Sequence, residues 1–290
     1  MDLTMPDRTR EATLTLGHSP DPDDAFMFYG LAAGLIDTGR WAFEHVLQDI
    51  QTLNERALRR ELDVTAISMH AYPYVANDYA LTCCGSSMGD GYGPLVVSRT
   101  PMSLDDLKGA TILVPGEMTT AFLTLNLLLG RGSFRDRVVM FDQILTEVAR
   151  GEADAGLIIH EGQLTYANEK LHKVIDLGEW WKAETGLPLP LGGNCIRRNL
   201  GMSAMHEVTG ILQRSIRFSL DHRAEAVEHA MQYARDMGRD LADQFVGMYV
   251  NQWTLDYGNT GRQAVKELLN RAAARELVPP VSDLDIVTPS

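Results

Sequence analysis

Leu157-Ile158-Ile159-His160-Glu161-Gly162 is a short apolar run that ends in a histidine, a glutamate and a glycine. Asp154-Ala155-Gly156 precedes it and a helix-forming stretch follows. A strand of this kind belongs in an open α/β sheet, where the carboxyl ends of strands face the ligand crevice. A histidine at that end can exchange protons at neutral pH. Read locally, the plainer role for His160, capping or packing at the strand end, comes first.

Working outward, the pattern on both sides is alternating strand and helix. Ala12-Thr13-Leu14-Thr15-Leu16 alternates as a strand, and Gly17 to Pro20 is a turn. Asp21 fits an N-cap, Pro22 the first helical position, and Asp24 the first turn, in a helix expected to stop at Gly34. Trp41 to Leu47 reads as a second strand. Thr52-Leu53-Asn54-Glu55 reads as a capping box for a helix running to about Glu61. Val64 to Ile67 is a third strand, with Ser68 at its carboxyl end, placed to cap the next helix. This β-α-β-α-β order calls for a parallel sheet.

After a glycine- and serine-rich stretch, Pro94 to Arg99 reads as a strand crossing into a second unit, where the pattern restarts. Thr111 to Pro115 is a buried-type strand, and Gly116 to Thr120 turns into an apolar helix ending at Gly130. Val138 to Phe141 and Lys173 to Leu177 are further strands. Trp180 and Trp181 sit in a short helix as anchors of a small core. Leu187 to Asn194 is an extended Pro/Gly run leading to Cys195-Ile196-Arg197-Arg198, the expected return crossing. Helical periodicity then covers Ile211 to Phe218, Ala224 to Met237, Leu241 to Tyr257 and Arg262 to Leu277. The expected organisation is a large discontinuous α/β lobe, residues 12–95 and 199–290, and a small α/β lobe, residues 96–198. Two crossings join them, with a ligand cleft between. That layout gathers Ser19 to Asp24, Ser68, Thr119, Thr120 and His160 around one cavity.

Composition narrows the function classes. The net charge is −13, from 39 acidic and 26 basic residues, which argues against nucleic acid and anionic membrane surfaces as partners. An anionic ligand must then be held by local dipoles or a few placed residues, against the global field. Cys83, Cys84 and Cys195 form neither a disulfide framework nor a metal-ligand spacing. Residues 1–11 read as a loose polar tail without an apolar signal region, and no apolar run is long enough to span a membrane, so a cytoplasmic protein is expected. Arg197 or Arg198 can meet a ligand carboxylate, though a hinge salt bridge is the plainer reading.

In order along the chain, Ser19-Pro-Asp-Pro-Asp-Asp24 before Phe26, Gly93-Pro-Leu-Val-Val97, Val114-Pro-Gly116 followed by Thr119-Thr120, Ile159-His160-Glu161, Leu177-Gly178 with Trp180-Trp181, and Glu184-Thr-Gly-Leu-Pro-Leu-Pro-Leu-Gly192 resemble the 1,4-dihydroxy-6-naphthoate synthase family of the futalosine route to menaquinone. The resemblance runs from about residue 12 to 200 and implies a type II periplasmic-binding-protein-like fold working in the cytoplasm. It further implies a carbon–carbon lyase without cofactor or metal, acting on an anionic small molecule, cyclic dehypoxanthinylfutalosine, as a monomer or homodimer. His160 matches the family's proposed base, Ser68 its serine after the third strand, and Thr119 and Thr120 its paired threonines. The family's first loop often reads Ser-Pro-Cys-Pro-Asn-Asp-Thr-Phe, so Asp21, Asp23 and Ala25 are departures, and as cap and first-turn residues the two carboxylates are expected to bind backbone N–H groups. Glu161 is expected to cap the helix that follows it. Two rivals share the fold: a non-catalytic solute-binding protein, and the chorismate dehydratase of the same pathway.

Overall fold

The computed structural model describes residues 12–234 and 237–290. The stretch 1–11, read as a polar tail, lies outside the described residues, as do positions 235 and 236 within the stretch read as helical to Met237.

Among the described residues, twelve strands form two sheets. In chain order they are β1 (Ala12–His18), β2 (Trp41–Leu47), β3 (Val64–Ser68), β4 (Tyr79–Thr82), β5 (Ser87–Gly89), β6 (Leu95–Ser98), β7 (Thr111–Val114), β8 (Arg135–Val138), β9 (Ala155–Ile158), β10 (His172–Asp176), β11 (Leu189–Arg197) and β12 (Ile286–Val287). The larger sheet has the order β12-β4-β11-β3-β1-β2, with β5 paired to β11; the smaller has β10-β6-β9-β7-β8. β1 runs parallel to both β2 and β3, as the β-α-β-α-β reading requires. β6 pairs antiparallel with β9, so the first crossing strand lies directly against the strand that carries His160 at its end.

All five residues of β3 and all four of β9 are buried. Helices cover both faces of such strands, which is why they read as continuous apolar runs. Ile67 and Leu157 are fully enclosed, each contributing roughly 1.5–3 kcal/mol of burial. The long C-terminal helices Met202–Asp221 and Gly258–Ala274 pack their apolar faces on the larger sheet and close its core.

The return strand differs from expectation. The expected crossing is Cys195 to Arg198, but β11 already pairs with β5 at Leu189 and with β3 from Gly192 to Ile196. Residues 189–198 therefore sit with the larger sheet. One glycine of this extended run has a packing reason. A Cβ on Gly193 would fall 2.2 Å from the Tyr257 hydroxyl, so the strand passes only because that side chain is missing. Arg197 and Arg198 face Asp63 and Asp285, the plainer of the two roles considered for them. Two boundaries also move. Asp49 caps the helix Ile50–Leu58 by accepting from the Thr52 amide at 3.1 Å, which replaces the capping box read at Thr52. The strand expected at Val138–Phe141 is β8, ending at Val138.

Candidate active site

Between the two sheets lies a cleft of about 780 Å³ including its mouth. β1 and β3 deliver their carboxyl ends to it from the larger sheet, and β9 delivers His160 from the smaller. Ser68, Thr119, Thr120 and His160 all line it. Ile50, Ile67, Leu191 and Phe245 supply apolar wall, as an aromatic ligand would need. No lysine or arginine lines it among the described residues, while Asp21, Asp23 and Asp24 do.

His160 is held by an unusual backbone and by one carboxylate. Its φ is +56°, a conformation that few residues other than glycine adopt, and its carbonyl accepts from the Gln163 amide at 3.2 Å. Phe141 packs against the ring edge, with centroids 4.7 Å apart. Nδ1 lies 3.2 Å from Asp21 Oδ2, and Nε2 has no hydrogen-bond partner. A carboxylate only accepts, so this contact selects the tautomer with its proton on Nδ1 and leaves Nε2 with a free lone pair. Ser19 Oγ donates to the same Asp21 oxygen at 2.6 Å, continuing the chain Ser19–Asp21–His160.

This corrects the reading of the first loop. Asp21 occupies the N-cap position of the helix Pro22–Met27 but makes no side-chain cap bond. Asp24 instead accepts from the Ser19 amide at 2.6 Å, folding the loop back on itself. The two carboxyl groups beside Asp21 resist ionising. Burial and the adjacent carboxylates push Asp23 up to about 8, and burial pushes Asp24 up to about 7 despite its bond from Ser19. Glu161 stands at the N-cap of Gly162–Thr165, again without a side-chain cap bond.

Ser68 does not cap a helix. Asn54, fully buried on Ile50–Leu58, clamps it: Asn54 Nδ2 donates to Ser68 Oγ at 3.0 Å, and Asn54 Oδ1 accepts from the Ser68 amide at 2.9 Å. The serine is left with its own proton to donate. Thr119 does cap. Its Oγ1 accepts from the Phe122 amide at 3.3 Å and donates to the Gly116 carbonyl at 2.8 Å. Thr120 Oγ1 donates to the Leu191 carbonyl and accepts from the His70 amide. Both threonine protons are thus used within the protein. What this loop offers a ligand is the first-turn amides of Thr120 and Ala121, which have no acceptor within the helix.

Several contacts bridge the two sides of the cleft. Besides Asp21–His160 and Thr120–Leu191, Gln51 Oε1 accepts from the Met118 amide at 3.0 Å, and Tyr249 Oη donates to Gln163 Oε1 at 2.6 Å. Asn54, Gln51, Gln163 and Tyr249 escaped the sequence reading. Gln163 carried the one usable signal, three residues beyond His160, where its amide closes the turn at the strand end. His18 sits outside the cleft, buried against Phe28 and His45, and burial and His45 push its imidazole down to about 3. Among the described residues no group of three His, Cys, Asp or Glu is arranged to hold a metal ion.

Comparison with known proteins gives the setting. A family model described as menaquinone biosynthesis matches residues 14–274. A protein of Streptomyces coelicolor named 1,4-dihydroxy-6-naphtoate synthase is 42% identical over 271 residues, 92% of this chain and 95% of its own. The crystal structure of a protein from Archaeoglobus fulgidus superposes with a TM-score of 0.87 at 43% identity, covering 92% of this chain and 98% of that one. A Candida albicans protein described as exhibiting the generic periplasmic binding protein fold superposes at TM-score 0.70 with 12% identity, covering 96% of this chain and 97% of that one. At that identity the likeness is one of fold, and it agrees with the two-lobed α/β architecture expected.

Proposed function

The chain belongs to the menaquinone-biosynthesis family, and from that premise we propose that it is a carbon–carbon lyase converting cyclic dehypoxanthinylfutalosine to 1,4-dihydroxy-6-naphthoate, with His160 as general base. The observation that carries this reading is the imidazole itself, held at Nδ1 by Asp21 with Nε2 left unpartnered at the cleft wall.

In this scheme Nε2 takes the proton of a sugar-ring hydroxyl. The alkoxide collapses to a carbonyl, the adjacent carbon–carbon bond breaks, and its electron pair passes into the ring system as an enolate that aromatises. Asp21 stabilises the imidazolium formed at that moment and never needs to accept its proton. General-base help is worth about 10²–10⁴ in rate, and positioning supplies more. The Ser68 hydroxyl and the Thr120 and Ala121 amides are the donors assigned to substrate oxygens, with Thr119 acting through the cap that holds this loop. The chain division into lobes 12–95 with 199–290 and 96–198 is carried into this proposal with one adjustment: residues 189–198 move with the larger sheet. Three free, buried cysteines fit a reducing compartment, and we place the activity in the cytoplasm on that basis. Among the described residues no helix is long and apolar enough to cross a membrane.

The test is incubation of purified protein with cyclic dehypoxanthinylfutalosine, followed by mass analysis. Release of the naphthoate and a sugar-derived fragment is expected. Ligand bound and recovered unchanged identifies a binding protein instead, and turnover of chorismate identifies a dehydratase.

A further inference from the structure

Three carboxyl groups, Asp21, Asp23 and Asp24, meet at one wall of a cleft that no lysine or arginine lines among the described residues. Two of them have work within the protein: Asp21 faces His160, and Asp24 accepts from the Ser19 amide. Asp23 is different. It is 9% exposed, it lines the cleft, and its Oδ1 has no hydrogen-bond partner. A buried, ionised carboxylate at that place would carry an unsatisfied charge between two like charges and would repel an anionic ligand. A protonated one has a donor to offer where the cleft otherwise has few.

We propose that Asp23 enters the substrate complex as a neutral carboxylic acid and donates a hydrogen bond to a carboxylate oxygen of the anionic ligand. The inference rests on the lyase reading for the identity of the ligand. Its proton state rests on the site alone. The groups that face Asp23 are Asp21 and Asp24 on its own loop, His160 at the end of β9, and Tyr249 on the helix Arg239–Tyr249. Burial first, and then the two neighbouring carboxyl groups, push its carboxyl up to about 8, while the imidazole and a backbone hydrogen bond work against them. Proton sharing between a carboxylic acid and a carboxylate is strong and costs no net charge in the cleft. It explains how a protein of net charge −13 binds an anion in a cleft that no lysine or arginine lines among the described residues.

The experiment has two arms. In the first, thermal unfolding of the ligand-free protein and of Asp23→Asn is followed from pH 5 to 9. The folded protein keeps a proton that the unfolded chain has lost above about pH 4, so wild-type stability must fall relative to the variant as pH rises, levelling off above about pH 8. Parallel curves mean that Asp23 is already ionised in the folded protein and overturn the proposal whatever the ligand is. In the second arm, turnover of cyclic dehypoxanthinylfutalosine is measured across the same range. Asp23→Ala should raise KM by about 10–100-fold at pH 7, the range of a hydrogen bond to a charged group. Asp23→Asn, which keeps a donor but cannot ionise, should recover most of that loss and abolish the alkaline fall in kcat/KM. An unchanged KM in Asp23→Ala, or the same alkaline fall in Asp23→Asn, overturns the donor role. No turnover by wild type, with the first arm as expected, overturns the lyase reading and the ligand assigned to Asp23 with it, while the neutral carboxyl stands.

Discussion

The helices Pro22–Met27 and Thr120–Leu129 both begin at the cleft, and each is preceded by a residue type that caps helices. Thr119 caps in fact: its hydroxyl accepts from the Phe122 amide. Asp21 does not. Its carboxylate turns to Ser19 and His160, and the helix after it starts with Pro22, which has no N–H to satisfy. The same sequence pattern therefore yields a structural side chain on one wall and a positioning side chain on the other. What decides between them is a partner far along the chain, His160, which no local pattern reveals.

The comparison breaks most easily at Asp21. Asp21→Asn should keep the fold and the melting temperature, since no cap is lost, while kcat falls on the order of 10³-fold because the imidazole loses its preferred tautomer. Steady-state kinetics beside a thermal melt check this, and a large loss of stability with little loss of kcat would make Asp21 a cap after all. Next in size is Asn54→Ala. Removing the clamp leaves the Ser68 amide and hydroxyl without their partner, which should cost about 1–3 kcal/mol by denaturant unfolding and raise KM more than it lowers kcat. Thr119→Ala belongs to the opposite class from Asp21→Asn. It should cost about 0.5–2 kcal/mol of stability, with Thr119→Ser recovering most of it, and change kcat by less than about tenfold. The smallest effect is expected for Tyr249→Phe, which removes the bridge to Gln163 and should destabilise by about 1 kcal/mol.

Much of the architecture was legible because it rests on local periodicity. The apolar runs at 64–67, 111–115 and 155–159 are strands, and Gly130 ends its helix as expected. The return strand begins earlier than Cys195 because the extended Pro/Gly run before it is already paired: Gly193 leaves room for Tyr257, just ahead of the helix Gly258–Ala274, and Gly192 lies against the Ile67 carbonyl. Which candidate residues share the cleft was legible, and the contacts between them were not. Ser68, Thr119, Thr120 and His160 could be placed together from strand ends alone. The orientation of His160 by Asp21, the clamp of Asn54 on Ser68, and the raised carboxyls of Asp23 and Asp24 are contacts across 14 to 139 positions or consequences of burial, and a single sequence carries no sign of them.

The central claim is that the His160 imidazole removes the proton that starts bond cleavage. His160→Asn keeps the size and polarity of the side chain and removes its basicity. Purified wild type and His160→Asn are given cyclic dehypoxanthinylfutalosine, and release of 1,4-dihydroxy-6-naphthoate is followed. The account predicts that the variant binds substrate and keeps its circular dichroism while product release falls by at least about 10²-fold. Release at near the wild-type rate would contradict it.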